Sequence, residues 1–408
     1  MSDKRDEPLE TNNILIITGF IRMFGDSLNN RYNNLLVSIA GATINQMGFL
    51  QGGKSLFGNL TQLLFGQLAD RYGKKRFIAI GQFLNAAAIL ALLFFETPNW
   101  LILCVMVSSF ASSMTMPGWS SLLGDYTNER NRGKVIGKIN SFAQMGSFFA
   151  MLVAFAISFN QVGDTTRESF TSVLILAAIG SILGGILVLF VNEKPPKGIS
   201  LQLDLKRLFG DPRLTRYLTL NFIYGMGMST AWPLFPFVIT NKLNMTVWQV
   251  ATLSLTSSAV STLAQTRIGD FMDRVGRRPI IVMSRMMMAL APIAYAFATQ
   301  WYHITIAELF LGVGMAAWMS SESIYVIDLA PADLRATYLA SSTTAFGIAT
   351  FIGSNMGGYV VDNFLSKSGF TGINQGLLIS ALLRIVLGSL YSFAYETRKT
   401  EPSLTPET

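Results

Sequence analysis

Long apolar stretches recur along the chain, separated by short polar breaks. They fall at about residues 14–39, 45–69, 77–95, 100–124, 135–159, 171–191, 214–240, 247–269, 280–298, 304–328, 336–361 and 373–395. A helix that crosses a bilayer needs about 20 apolar residues. Buried helices of soluble domains rarely recur at this length and this often. The pattern therefore predicts an all-α membrane protein with twelve transmembrane helices, numbered spans 1 to 12. Twelve spans of about 20 residues use about 240 residues, and the chain of 408 residues holds them with short loops left over. Residues 1–13 (MSDKRDEPLETNN) are polar, and no small-residue cleavage site follows a short apolar core. The first stretch is expected to be a retained helix and not a removed leader.

Composition narrows the class. Half of the residues are hydrophobic and 13% are charged, against about 25% charged in an ordinary soluble domain. A soluble enzyme is thereby excluded. One Cys and one His exclude a disulfide framework and a Cys/His zinc site. No phosphate-binding loop and no nucleophile–base pattern stand out. Neither ATP, a cofactor, a resident metal nor an enzymatic reaction is expected. The formal charge of +7 reads as topology and not as a nucleic-acid footprint. With the N-terminus inside, the inner segments carry 22 Lys and Arg and the outer ones only Arg167, Lys242 and Lys367. Both termini are expected on the cytoplasmic side, in the plasma membrane.

A repeat organises the chain. Residues 66–75 read GQLADRYGKK and residues 269–278 read GDFMDRVGRR, an offset of 203. The same offset maps Asp125 onto Asp328 and Arg132 onto Arg335. The chain reads as a duplication of a six-helix unit in parallel orientation, because six is even. Residues 1–192 and 214–408 are the expected halves, joined by a cytoplasmic linker, 193–213. In the linker Leu201, Leu205, Leu208 and Phe209 share one helical face beside Lys206 and Arg207. They suggest a short helix on the membrane surface, a solvated linker being the alternative. In the repeated segment, Gly66 and Gly269 allow close helix contact, and Gly73 and Gly276 a tight turn. The cations anchor at headgroups. Asp70 and Asp273, carboxylates among cations, call for a specific partner.

These segments resemble the major facilitator superfamily of secondary transporters, and the resemblance covers nearly the whole chain. The repeated motif resembles that family's loop after span 2, and GDYTNERNRG (124–133) resembles its loop after span 4. The resemblance implies alternating access, and a gating lock on the inner side built from Gly66, Asp70, Arg71, Gly73, Asp125 and Arg132. Gly269, Asp273, Arg274, Gly276, Asp328 and Arg335 are its counterparts in the second half. It also implies that spans 1, 4, 7 and 10 line a central cavity. Ser109, Ser112, Ser113, Trp119, Asn221, Tyr224, Trp232 and Trp318 then become wall residues, although helix packing is the plainer explanation for any one of them. Pro233 and Pro236 in span 7 offer a hinge. Span 5 reads INSFAQMGSFFAMLVAF, without the Pro often found there in drug antiporters of the family, which weakens a drug/proton antiport reading.

Charges at membrane depth are costly and are functional by default. In span 1, Arg22, Asp26, Asn29 and Asn33 share one face. At 1.5 Å per residue Asp26 lies roughly 20 Å from the inner end. Lys54 lies roughly 24 Å from Asp70, so the two are expected at similar depth. Arg31 is slightly nearer the outside. The offset sets Gly225, Ser229 and Ser257 opposite Arg22, Asp26 and Lys54, so the fold does not demand these charges. Asp26 is a candidate proton-coupling carboxylate, and Arg22, Arg31 and Lys54 are candidate substrate groups. A static Arg22–Asp26 pair is the alternative. Glu322 is a second candidate proton carrier. Arg384 reads as a packing residue, and His303 as an interfacial one.

The expected protein is a monomeric secondary active transporter moving a small organic solute with protons as coupling ion. The net charge of +2 among Arg22, Arg31, Lys54 and Asp26 favours an anionic or zwitterionic substrate. A proton-driven multidrug efflux antiporter, and a transporter-like sensor or lipid-moving protein, are the alternatives.

Overall fold

The computed structural model describes residues 9, 13–127, 132–159, 167–195, 210–331, 335–365 and 368–397. All twelve predicted spans are helical, and no strand occurs among the described residues. Span 1 is Asn13–Ile39, span 2 is Ile44–Leu60 continued by Gln62–Tyr72, and span 3 is Lys74–Phe94. Spans 4, 5 and 6 are Pro98–Asp125, Arg132–Ser158 and Arg167–Leu189. Span 7 is broken into Pro212–Ser229, Leu234–Phe237 and a π-helical turn, Val238–Lys242. Span 8 is Val247–Val275, span 9 is Arg277–Met287 followed by Leu290–Phe297, and span 10 is Trp301–Leu329. Span 11 is Arg335–Val360 and span 12 is Phe370–Ser389. Leu201, Leu205, Leu208 and Phe209 of the expected surface helix lie outside the described residues.

Eight spans are long and apolar enough to cross a membrane by length and composition alone. Spans 1, 2, 8 and 11 fall short of that measure. These four all take part in the seam between the first six spans and the last six, where span 2 packs on span 11, span 5 on span 8, and span 1 on span 7. Interfaces inside a bilayer favour small and polar residues, because lipid is as apolar as leucine and gives no reason for apolar faces to pair.

The seam is tight at the end of the bundle away from the termini, called the far end. Ser38 and Thr240 hydroxyls lie 2.9 Å apart, Tyr32 Oη donates to Val247 O at 3.3 Å, and Ser55 meets Thr350 at 2.7 Å. Phe155 and Phe159 close on Trp248. Gly48 lets spans 2 and 11 touch backbone to backbone: a Cβ there would stand 2.6 Å from Ser354 O.

The two broken spans share one pin. Pro292 has no N–H to give Met288 O, and Pro233 has none to give Ser229 O. Ser229 O takes the Trp232 N–H instead, at 3.0 Å, which frees Met228 O. Arg384 of span 12 donates to both freed carbonyls, Nη1 to Met288 O and Nη2 to Met228 O, each at 2.7 Å. Two of the far-end cations are spent in the same way. Lys242 Nζ donates to Tyr295 O and Ala296 O at the end of span 9. Arg167 Nη2 donates to Leu92 O and Leu93 O at the end of span 3. Unpaired C-terminal carbonyls with their negative dipole end attract such groups.

Two measurements follow. Each buried acceptor left without a donor costs about 1–3 kcal/mol, so Arg384→Leu is expected to lower unfolding stability by roughly 2–6 kcal/mol. A variant that unfolds like the parent would show that the two carbonyls do not depend on Arg384. Gly48→Val is expected to lower the thermal midpoint by several degrees. Gly58→Ala, where a Cβ meets nothing within 4 Å, is expected to leave it unchanged or raise it.

Candidate functional site

At the termini end the repeat has a matching structure in both sets of spans. Gly73 (φ 106°) and Gly276 (φ 107°) occupy the left-handed region, where a side chain is strained, and each turns the chain into the next span. Lys74 then pairs with Asp125 at 2.6 Å, and Arg277 with Asp328 at 3.3 Å. Glu193 accepts the Lys75 backbone N–H at 3.0 Å. Glu396 accepts those of Arg277 and Arg278 at 2.9 and 3.1 Å. A carboxylate over the first N–H groups satisfies donors that have no partner in the helix. The four partners Lys74, Arg277, Glu193 and Glu396 are absent from the expected lock, yet each pair stands at the offset of 203 already visible in the motif. Arg71 is exposed and lies over the Tyr72 ring, and Arg274 is exposed. The side chains of Asp70, Arg132, Asp273 and Arg335, and the surroundings of Gly66 and Gly269, lie outside the described residues.

Span 1 carries a ladder of polar side chains. Arg22 Nη1 pairs with Asp26 at 3.3 Å and its guanidinium lies 4.9 Å from the centre of the Trp119 ring. Asn85 donates to Asp26 at 3.4 Å and to Ser181 at 3.1 Å. Asn29 donates to Ser108 at 2.7 Å and to Asn85 at 3.2 Å, and accepts from Asn33 at 3.3 Å. Lys54 Nζ closes the ladder on Asn33 and Asn34, at 3.2 and 3.1 Å. Arg22, Asp26 and Asn29 therefore face spans 3, 4 and 6 inside their own set. Lys54 stands level with Asn33 and not with Asp26. Seven residues separate these two, roughly 10 Å along the helix. The estimate missed this because it compared two spans from separately chosen inner ends and left out the length of the lysine side chain.

The last six spans hold a second charged cluster. Arg285 of span 9 is fully buried. Its Nη2 lies 3.3 Å from Glu322, and Trp318 Nε1 donates to the same carboxylate oxygen. The guanidinium is boxed by rings, with centroids at 4.1 Å for Trp318, 5.3 Å for Tyr224 and 5.4 Å for Tyr391. Tyr224 Oη donates to Arg285 O at 2.8 Å. Asn221 donates to Ser342 and accepts from Tyr391 Oη. Asn221 and Tyr224, expected on a cavity wall, are turned into this cluster. Sequence reasoning gave Arg285 no role. Its carboxylate partner lies 37 residues on, beyond any local spacing.

A cavity of about 370 Å³ lies between the two sets. Asn30, Arg31, Asn34 and Gln51 line it from spans 1 and 2, and Trp232, Phe235 and Tyr295 from spans 7 and 9. Of the nine expected substrate or coupling residues, Arg31 and Trp232 line this cavity. Lys54 reaches its wall through Asn34.

The sequence profile described as "Major Facilitator Superfamily" matches residues 15–353 and, in a second, overlapping match, residues 217–407. The chain belongs to the Major Facilitator Superfamily. It is an integral membrane transporter of that family and not an enzyme, and family members take small-molecule substrates. It is 21% identical over 340 residues to the "Uncharacterized MFS-type transporter MJ1317" of Methanocaldococcus jannaschii, covering 80% of this chain and 82% of that one. It is 22% identical over 333 residues to the "Multidrug resistance protein MdtH" of Aeromonas hydrophila subsp. hydrophila, covering 78% and 81%. The fold is similar to the crystal structure of the nucleoside transporter NupG, with TM-score 0.74, 18% identity and coverage of 93% and 98%.

A helix-capping carboxylate contributes about 0.5–2 kcal/mol, so Glu193→Ala and Glu396→Ala are each expected to cost that much in unfolding stability. The two sites belong to different sets of spans, and the double variant is expected to be additive within about 0.5 kcal/mol. A larger coupling would mean that the two caps communicate.

Proposed function

We propose that this protein is a proton-coupled secondary transporter that carries a small anionic or zwitterionic organic solute by alternating access. The halves, residues 1–192 and 214–408, rock about the cavity between them, and the linker 193–213 joins them. The second family match at 217–407 supports this duplication. Both termini face the cytoplasm of a cell whose plasma membrane holds the protein, as a monomer. With that orientation the far end is the outer side. The hydrogen bonds between the halves at Tyr32, Ser38 and Ser55 then hold the outer gate closed, and the cavity belongs to an inward-facing state.

The observation that carries the reading is the cavity itself, lined from both halves, with an arginine on one wall and three aromatic rings on the other. Such a site between two bodies is what alternating access requires. Asp26 and Glu322 are the proposed proton carriers. Each is held by an arginine, Arg22 or Arg285, so protonation releases a buried guanidinium and changes how its half packs. The Asp125 and Asp328 networks, with Asp70, Arg132, Asp273 and Arg335 beside them in sequence, are the proposed inner gate. The name of the MdtH relative favours a second reading, efflux of amphipathic drugs.

Thermal stabilisation of the purified protein separates the two, because a ligand that binds only the folded state raises the midpoint by mass action. Selective stabilisation by organic anions or zwitterions is expected, stronger at mildly acidic pH. That pH dependence is expected to vanish in Asp26→Asn or Glu322→Gln. Broad stabilisation by lipophilic cations would favour drug efflux. Unchanged pH dependence in both variants would remove these carboxylates as carriers.

A further inference from the structure

Span 9 carries a groove on its lipid-facing side. Its first helix, Arg277–Met287, turns Ile281, Ser284 and Arg285 into the bundle. The opposite side is open. There Arg278, Val282, Met283, Met286 and Met287 line a groove of about 540 Å³, and Ser392 lines it from the 3₁₀ turn Leu390–Phe393 that ends span 12. Arg278, Val282 and Met286 follow one another every fourth residue, and Met283 and Met287 do so beside them, so the two rows run side by side along the helix. From Arg278 to Met286 the groove extends roughly 12 Å. One leaflet holds roughly 15 Å of hydrocarbon, half of the bilayer core. Arg278 opens the span at the termini end, so the groove runs from the headgroup level through most of the leaflet on that side.

The chemistry changes along the groove. Its length is apolar, and Met283 and Met286 are exposed there. Methionine is unbranched and polarisable and adapts to irregular surfaces, which suits a flexible hydrocarbon chain. At the termini end stands a cation. The Arg278 side chain is exposed and makes no hydrogen bond or ion pair among the described residues, whereas the neighbouring Arg277 pairs with Asp328. The Ser392 hydroxyl across the groove has no hydrogen bond among the described residues either. Glu396 stands at the same turn, but its two oxygens accept the backbone N–H groups of Arg277 and Arg278. An unengaged guanidinium and a hydroxyl at the membrane surface, above an apolar slot, match the phosphate and one acyl chain of a negatively charged lipid.

We infer that this groove binds an anionic phospholipid of the leaflet on the termini side, with its phosphate on Arg278 and Ser392 and one acyl chain along Val282, Met283 and Met286. The site depends on the protein lying in a membrane and not on what it transports. The lipid bridges span 9 and the last turn of span 12, the joint that Glu396 already closes through the first N–H groups of span 9. An occupied groove therefore holds span 12 to the turn whose Arg277 pairs with Asp328.

The test uses the purified full-length protein in a non-ionic detergent, with bound lipid measured by native mass spectrometry. The probes are dioleoylphosphatidylglycerol and dioleoylphosphatidylcholine, which share their chains and differ in net charge. The parent is expected to prefer phosphatidylglycerol. Arg278→Gln is expected to weaken phosphatidylglycerol binding by about fivefold, the worth of one arginine at an anionic membrane surface, and to leave phosphatidylcholine binding as it was. Arg213→Gln removes an exposed cation at the same end of the bundle, outside the groove, and is expected to keep the preference. Val282→Trp fills the slot and is expected to weaken both lipids. The thermal midpoint of each variant in phosphatidylcholine checks that it is folded. Equal binding of the two lipids by the parent overturns the inference, whatever the variants do. Undiminished phosphatidylglycerol binding in folded Arg278→Gln also overturns it, as does an equal loss in Arg213→Gln, which would make the attraction one of overall charge. Displacement of the lipid by inorganic phosphate would mean a site for free phosphate and not for lipid. A dimer that forms without lipid and is broken by Val282→Trp would put a second copy of the chain in the groove, and either result overturns the inference.

Discussion

A polar group inside a bilayer has to find its partner within the protein, because hydrocarbon offers none. Most of the described polar architecture answers that constraint. Pro233 and Pro292 each deprive a carbonyl of its donor, and Arg384 repairs both breaks with one guanidinium. Arg167 and Lys242 look out of place on the side that carries few cations. Each is consumed by the carbonyls that end a neighbouring span.

The same constraint explains why the two sets share their termini-end hardware and differ inside. Gly73, Lys74, Asp125 and Glu193 recur 203 residues later as Gly276, Arg277, Asp328 and Glu396. Each quartet solves one problem, turning a chain between two antiparallel helices and capping the second. Deeper down the solutions diverge. Arg22, Asp26 and Trp119 come from spans 1 and 4, whereas Arg285, Glu322 and Trp318 come from spans 9 and 10. The composition of the clusters is alike although their positions are not equivalent. Gln82 occupies the position matching Arg285 in the first set. Turn geometry tolerates little change, while a buried ion pair can be assembled from several neighbouring helices.

Spans were legible in the sequence because about 20 apolar residues in a row have few other uses. The turn glycines and their acidic partners were legible because a fixed offset repeats them, and Glu193 with Glu396 could have been found by the same rule. The Arg22–Asp26 contact was also legible, being one helical turn apart. What one sequence could not supply was rotation about the helix axis. A face rich in polar residues can turn toward the other half or toward its own. Asn85, Ser108 and Ser181 draw the Asp26 face inward, and these come from three different spans. Tyr224 and Asn221 turned away from the cavity for the same reason, drawn by Arg285 and Ser342. Lys54 departs from its expected level because a depth counted in residues places the Cα and not the tip of a long side chain.

The arrangement of contacts also bears on how the seam can open. At the far end the halves meet through a few hydroxyl pairs, aromatic edges and the bare backbone at Gly48. None of these contacts involves an ion pair, so separating them exposes hydroxyls and rings but strands no charge. The ion pairs Arg22–Asp26, Arg285–Glu322 and Lys74–Asp125 each lie within one set of spans. A rigid rocking motion preserves them, and a buried pair broken by the loss of one partner costs several kcal/mol. The ion pairs thus lie inside each set of spans, and the seam between the sets rests on hydroxyls, rings and close backbone.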